Sequence, residues 1–249
     1  MTPTIDLNCD LGEGFGNDAL LMRLISSANI ACGGHAGDEA TMRETVSLAK
    51  ACWVSVGAHP GYEDREAFGR KDVALEPAEV FALVARQIAA LKKITDAADV
   101  ALTHVKPHGA LYNKAAQDAA TAKAVADAVA AAGRHLVLYA LAGSELVNAG
   151  VAAGLHVASE VFADRVYQVD GSLTPRNLPG ALHTLEKAMI GQVLDMVERG
   201  MVKTREGFEI ALHADTVCLH GDGPHAVVFA KRIRQALTDV GVRVKPCLG

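Results

Sequence analysis

The stretch VKPHGALYN, residues 105–113, sets Lys106 and His108 on alternate positions, and His104 stands just ahead of it. Near the start, IDLNCDLGEG alternates Asp6, Asn8 and Asp10 with Leu7, Cys9 and Leu11. Carboxylate, imidazole and ammonium groups brought to one place can move protons and hold developing negative charge, which is the chemistry of hydrolysis. Histidine suits such a role because its ordinary pKa lies near neutrality. His59 in VGAHP, with His220 and Asp222 in CLHGDGPH, adds groups of the same kind. The spacing HVKPH admits a second chemistry, in which His104 and His108 bind a divalent cation with Asp6 or Asp10. Lys106 stands between those histidines on the same strand face and would repel the ion, so no tightly bound metal is expected.

Strands must position these groups. Side chains along a strand point to opposite faces with period two. Ile5, Leu7 and Cys9 then oppose Asp6, Asn8 and Asp10, and Val56 and Ala58 oppose Gly57 and His59. Val105 and Pro107 oppose His104, Lys106 and His108. Val157, Ser159 and Val161 oppose His156, Ala158 and Glu160, while Val217 and Leu219 oppose Cys218, His220 and Asp222. An open sheet covered by helices on both sides reads as continuous apolar strands, so this one-sided pattern fits a barrel better. Burying so many ionisable groups costs several kcal/mol each unless they pair or face a wet cavity. The polar face is therefore read as the wall of an active site. His104 and His156 are read as structural.

Strand-like runs fall at 4–10, 27–32, 54–60, 102–108, 135–141, 155–162 and 216–221. Helical stretches lie between them, one N-capped by Asp38 and one with Pro77 in its first turn. Others cover about 118–132, 144–152, 184–199 and 224–240, with a short one at 17–25. The fold expected is α/β: a single (β/α) barrel of about seven parallel strands, one domain over residues 1–249. Glycine-rich loops follow the strands: LGEGFG, CGGHAGD, HGALYN and HGDGPH. The connection 162–183 lacks periodicity and reads as a lid, on which Arg165 and Arg176 can clamp a carboxylate or phosphate.

A formal net charge of −5, with Lys and Arg scattered, argues against a nucleic-acid partner. Five widely spaced cysteines without a C-x-x-C pair read as reduced thiols in the core. The opening MTPTIDLNCD reads as a strand and not as a basic-then-apolar leader. No apolar run approaches the ~18 residues of a membrane span, and a cytoplasmic location is expected. Phosphate loops of the Walker and dinucleotide types are missing, as is a nucleophile elbow.

Six ordered stretches, IDLNCDLGEGFG, SANIACGGHAGD, VGAHPGYEDREAFGR, VKPHGALYN, EVFADRVYQVDGSL and CLHGDGPHA, together resemble the LamB/YcsF family along essentially the whole chain. The sequence departs from the family's pattern at Glu63, where proline is expected, and at Ala67, where glycine is expected; both lie in a loop. The resemblance implies a barrel related to the glycoside hydrolase/deacetylase barrels. It also implies the A subunit of an ATP-dependent 5-oxoprolinase, opening 5-oxoproline to L-glutamate with partner subunits B and C. ATP, accompanied by Mg²⁺, is then a co-substrate, and self-association is open. For that reaction, chemistry assigns Asp10 or Asp6, with His108 or His59, to general acid and base. Lys106 and Arg165 meet developing negative charge, and Asn8 and Asn113 orient the lactam. Glu13, His35, Glu160, His220 and Asp222 complete the expected substrate-binding set. Two other readings are a metal-dependent, deacetylase-like amide hydrolase and a non-catalytic binding subunit.

Overall fold

The computed structural model describes residues 2–221 and 225–247. The first half runs β1 (Thr4–Leu11), α1 (Asp18–Leu21), β2 (Ser27–Ala31), α2 (Glu39–Cys52), β3 (Ser55–His59), α3 (Pro77–Ala97) and β4 (Leu102–Val105). Then come α4 (Gly109–Gln117), α5 (Ala119–Ala132), β5 (Val137–Leu141), α6 (Glu145–Ala152) and β6 (His156–Phe162). The last part holds α7 (Glu186–Leu194), which widens into a π-helical turn over Asp195–Arg199, then β7 (Met201–Lys203) and β8 (Glu209–Ala211). It ends with β9 (Thr216–Leu219), α8 (Ala226–Asp239) and β10 (Arg243–Val244).

Seven strands run parallel in the order β1-β2-β3-β4-β5-β6-β9. Strand β9 pairs back on β1, Asp6 opposite Thr216 and Cys9 opposite Leu219, so the sheet closes into the expected barrel. Strand β10 extends the start of β1, while β7 and β8 form a separate antiparallel hairpin. The outward residues Leu7, Cys9, Val56, Ala58, Val105, Val161 and Val217 are all buried in the apolar core. Their removal from water is what holds the helices to the barrel.

Local chemistry fixes the helix starts. Asp38 and Asp118 each accept the amide of the residue three further on, Thr41 and Thr121, at 2.8 Å. Helix α3 begins with Glu76 and Glu79 capping each other and with Pro77 in its first turn. Two differences from the sequence reading matter here. HGALYN, taken as a loop, opens α4, with Gly109 at φ +55° and without room for a Cβ, which would stand 2.6 Å from the Gly69 carbonyl oxygen. The connection after β6 is anchored and is not a free lid. The buried Tyr167 hydroxyl accepts the Phe162 amide at 2.8 Å, and Gln192 donates to the carbonyls of Phe162 and Arg165 at 2.9 Å.

Candidate active site

The barrel interior is a stack of three polar tiers, set by alternate residues of β1. At the base, the Asp6 carboxylate accepts four hydroxyls: Ser26 and Thr216 at 2.6 Å, Ser27 at 2.7 Å and Tyr139 at 2.9 Å. Burial raises its pKa, and those hydroxyls work against the rise. Asp6 lies apart from the residues that line the cleft described below. Its expected catalytic part is therefore corrected: this carboxylate ties β1 to β2, β5 and β9.

In the middle tier, Asn8 donates to Glu160 at 2.9 Å and to Thr216 at 2.7 Å. Asn29 donates to Asn8 at 2.7 Å and to Asp10 at 2.9 Å, while its own Oδ1 lies 2.9 Å from His104 Nε2. His104 stacks on Tyr139 with ring centroids 4.3 Å apart. Burial first, then Lys106 and His59, lower its pKa to about 3, which keeps it neutral. It is structural, as expected, and stands away from the cation-type cluster that includes His108. The HVKPH pair thus does not act together.

The top tier faces solvent. A cleft of about 660 Å³ opens at the strand C-termini, lined by Asp10, Glu13, His59, Lys106, His108, Tyr112, Asn113, Arg165, Arg176 and His220 among others. Barrel enzymes place their sites at this end. Lys106 Nζ donates to Asp10 Oδ1 at 2.9 Å, and lies 2.9 Å from Glu160 Oε1 and 3.0 Å from Cys218 Sγ. Burial alone would lower the lysine pKa, but Asp10, Cys218 and Glu160 hold it well above its ordinary value. The reverse holds at Asp10. Burial pushes the carboxyl up, yet His59 and Lys106 keep it well below the usual carboxylate range. Both groups are charged, and each depends on the other.

His59 and His108 meet edge to edge. His59 Nδ1 lies 2.7 Å from the Lys106 carbonyl, and His108 Nε2 lies 2.9 Å from the Phe68 carbonyl. Carbonyl oxygens only accept, so those two nitrogens carry hydrogens. The remaining nitrogens, His59 Nε2 and His108 Nδ1, face each other at 2.9 Å. Burial first, then His59 and His35, hold the His108 pKa far below its ordinary value. Glu13 Oε1 is 3.5 Å from His108 Nδ1 and 3.9 Å from His59 Nε2, and Asp10 Oδ2 is 3.4 Å from His59 Nε2.

Beside Asp10 and Cys218, with ligand atoms within 4.8 Å of theirs, stands His220, whose Nδ1 donates to the Asp164 carboxylate at 2.9 Å and whose Nε2 accepts from Arg176 at 2.6 Å. Buried Arg165 donates to the Thr174 carbonyl at 2.7 Å, leaving its Nε without a partner. Burial and then the neighbouring Arg176 lower the Arg165 pKa to about 10, so it stays cationic. Two guanidinium groups on one wall suit an anion.

Of the other residues expected to meet substrate, Glu13, Asn113, Arg165 and His220 line the cleft. Asn8 and Glu160 lie fully buried beneath it, and His35 lies behind it, stacked on His108 at 3.6 Å. Their contacts are with the residues that form the cleft, so the expected direct contact with substrate does not follow from their placement. Asp222 falls outside the described residues. Sequence reading passed over Asn29, Tyr139 and Tyr112. Asn29 was within reach, because SANIA repeats the period-two pattern with Ser27 and Asn29 turned inward.

Fold and site together define a closed parallel β/α barrel with a charged hydrolase-type cleft at its mouth. The chain belongs to the LamB/YcsF family, whose model matches residues 5–249. A Tolumonas auensis protein named as the A subunit of 5-oxoprolinase is 52% identical over 246 residues, covering 97% of this chain and 98% of its own length. A Bacillus subtilis protein of the same name is 51% identical over 245 residues, covering 96% and 95%. The crystal structure of a lactam utilization protein from Thermus thermophilus superposes with a TM-score of 0.91 at 44% identity, covering 97% of this chain and 99% of that one.

Proposed function

We propose that this chain is the lactam-cleaving subunit of a 5-oxoprolinase, opening 5-oxoproline to L-glutamate with ATP as co-substrate and with partner subunits B and C. The observation that carries the reading is the presence, within one cleft, of two guanidinium groups that suit an anion (Arg165, Arg176) and of proton-handling groups (Asp10, His59, His108). 5-Oxoproline needs both: a carboxylate to anchor, and an amide to open. Relatives named as the A subunit of 5-oxoprolinase support the choice of substrate.

In this reading Arg165 and Arg176 bind the carboxylate or a transferred phosphoryl group. Asp10 takes the proton from the attacking water, the His59–His108 pair returns a proton to the ring nitrogen as the C–N bond breaks, and a second water cleaves the acyl phosphate left behind to give glutamate and inorganic phosphate. A carboxylate held far below its ordinary pKa is a weak base. An amide already activated on oxygen by ATP requires no stronger one, and the coupling therefore fits the floor of the cleft. Lys106 fixes Asp10 and keeps it ionised.

Asp10→Asn in the complex reconstituted with subunits B and C tests the assignment. The amide keeps the shape, so thermal unfolding stays within a few degrees of the parent, while 5-oxoproline-dependent glutamate release drops by at least about a hundredfold. Turnover near the parent level removes Asp10 from the mechanism.

A further inference from the structure

Helix α6 (Glu145–Ala152) starts at the cleft with its cap unmade. The turn that leads into it, Leu141 to Ser144, lines the cleft. Ser144 holds the N-cap position in the extended conformation that the role requires, yet its side chain caps no amide. The residue is 7% exposed, and its buried hydroxyl makes no hydrogen bond. Rotation about one bond, Cα–Cβ, is all that separates this hydroxyl from a new partner. The first amides of a helix also have no acceptor within it. At Gly143, φ is +75° and a Cβ would meet nothing within 4 Å, so the backbone ahead of the helix is open to close approach. Arg165 adds charge nearby. It follows β6, the strand paired with β5, is 4% exposed and leaves its Nε without a partner.

The geometry points to an anion subsite at the N-terminus of α6, in which Ser144, the first-turn amides and Arg165 hold a phosphoryl group. The subsite stands on this geometry alone, while its occupant, a lactam phosphorylated on its ring oxygen, rests on the proposed function.

Three features favour a phosphoryl group over the substrate carboxylate. Its three oxygens can accept from a hydroxyl, from amides and from a guanidinium at once, and helix N-termini suit phosphate. Glu145 in the same turn opposes any anion, and Arg165 offsets it. The order of the seven strands sets β5 across the ring from β1, so Ser144 and Asp10 face each other over the mouth. Lys106, which follows β4 beside β5, already reaches Asp10 at 2.9 Å, so a small ligand can span that gap. Arg176 stays on the Asp10 side through His220 and is left for the carboxylate. A cleft of about 660 Å³ is of the size that takes drug-sized ligands, more than a five-membered ring with one carboxylate fills. Held at α6, the phosphoryl group keeps the reacting carbon before Asp10 during ring opening and stays in place until the second water releases it.

The test uses the full chain labelled with ¹⁵N, titrated with inorganic phosphate and followed by amide NMR. Millimolar phosphate is expected to shift the amides of Glu145 and Leu146, and acetate at the same ionic strength to move them far less. Ser144→Ala weakens the phosphate response at least about fivefold. Ser144→Asp keeps the fold, because aspartate caps a helix N-terminus well, and abolishes the response by repulsion. A serine with only a structural role would be replaced by aspartate without loss of phosphate binding. Should Ser144→Ala fail to fold, the parent and Ser144→Asp still decide the matter. Unmoved α6 amides in the parent, an equal response to acetate, or an undiminished response in Ser144→Asp overturns the subsite. ATP is expected to shift these amides no more than phosphate does; tighter binding of ATP there overturns the lactam as carrier of the phosphoryl group. The titrations need no turnover, so their failure leaves the role of Asp10 standing, and the Asp10→Asn assay can fail with the subsite intact.

Discussion

Asp6 and Asp10 stand four residues apart on one face of β1, and their surroundings give them different work. Asp6 is sealed among four hydroxyls at the barrel base, while Asp10 meets Lys106 and His59 at the open end. Asp6→Ala strips the shared acceptor from Ser26, Ser27, Tyr139 and Thr216. It is expected to cost about 2–4 kcal/mol of stability in urea unfolding while kcat of the folded fraction stays near the parent value. A large fall in kcat without loss of stability would restore Asp6 to the chemistry. The sequence shows both carboxylates facing inward because alternation reports the face of a strand. It does not show depth along the barrel axis, and depth separates the two. Glu160 and Asn8 escaped correct placement for the same reason, since nothing local marks how far a side chain lies below the rim.

Five strands were legible because their two faces differ in chemistry, and all seven barrel strands fall within the strand-like runs read from the sequence or within a residue of them. Helix α4 was not, since Pro107, His108 and Gly109 at its start carry the signature of a turn, and its helical character is set by tertiary contact with Gly69. The hairpin β7–β8 and the two-residue β10 are too short for periodicity to register. Helix α2 contains a position the sequence alone would not question. Trp53, its C-cap, is 94% exposed at φ +58°, a left-handed conformation that costs a non-glycine residue about 1–2 kcal/mol. With almost no packing to lose, Trp53→Gly is expected to raise the unfolding free energy by about 0.5–1 kcal/mol, net of the greater entropy of glycine in the unfolded chain. A drop in thermal midpoint would mean that the indole is engaged elsewhere.

At the scale of the whole molecule, a barrel filled with neutral histidine and paired charge is sensitive to acid. His104 stays neutral in the folded chain down to about pH 3, whereas an unfolded histidine takes up its proton near pH 6.5. Between those values the unfolded state binds more protons, so stability falls as pH drops, by about 1.4 kcal/mol per pH unit for this one group. In His104→Gln the stability–pH curve between about pH 6 and pH 4 should be shallower by that amount, whatever its absolute height. An unchanged slope in chemical denaturation would show that His104 is protonated in the folded barrel. Asp10 acts in the same direction lower down. Its contribution is complete above the ordinary carboxylate pKa and disappears as pH falls through its depressed folded value.

Asp10, His59, Lys106 and His220 sit at or just past the ends of β1, β3, β4 and β9, whereas Arg165 and Arg176 both belong to the single connection between β6 and α7. On the proposed reading, reactivity is thereby rooted in the frame, and recognition of the anion is carried by one connection. Grafting a different connection between the same anchor points should redirect which acid is accepted while leaving the machinery that opens it in place.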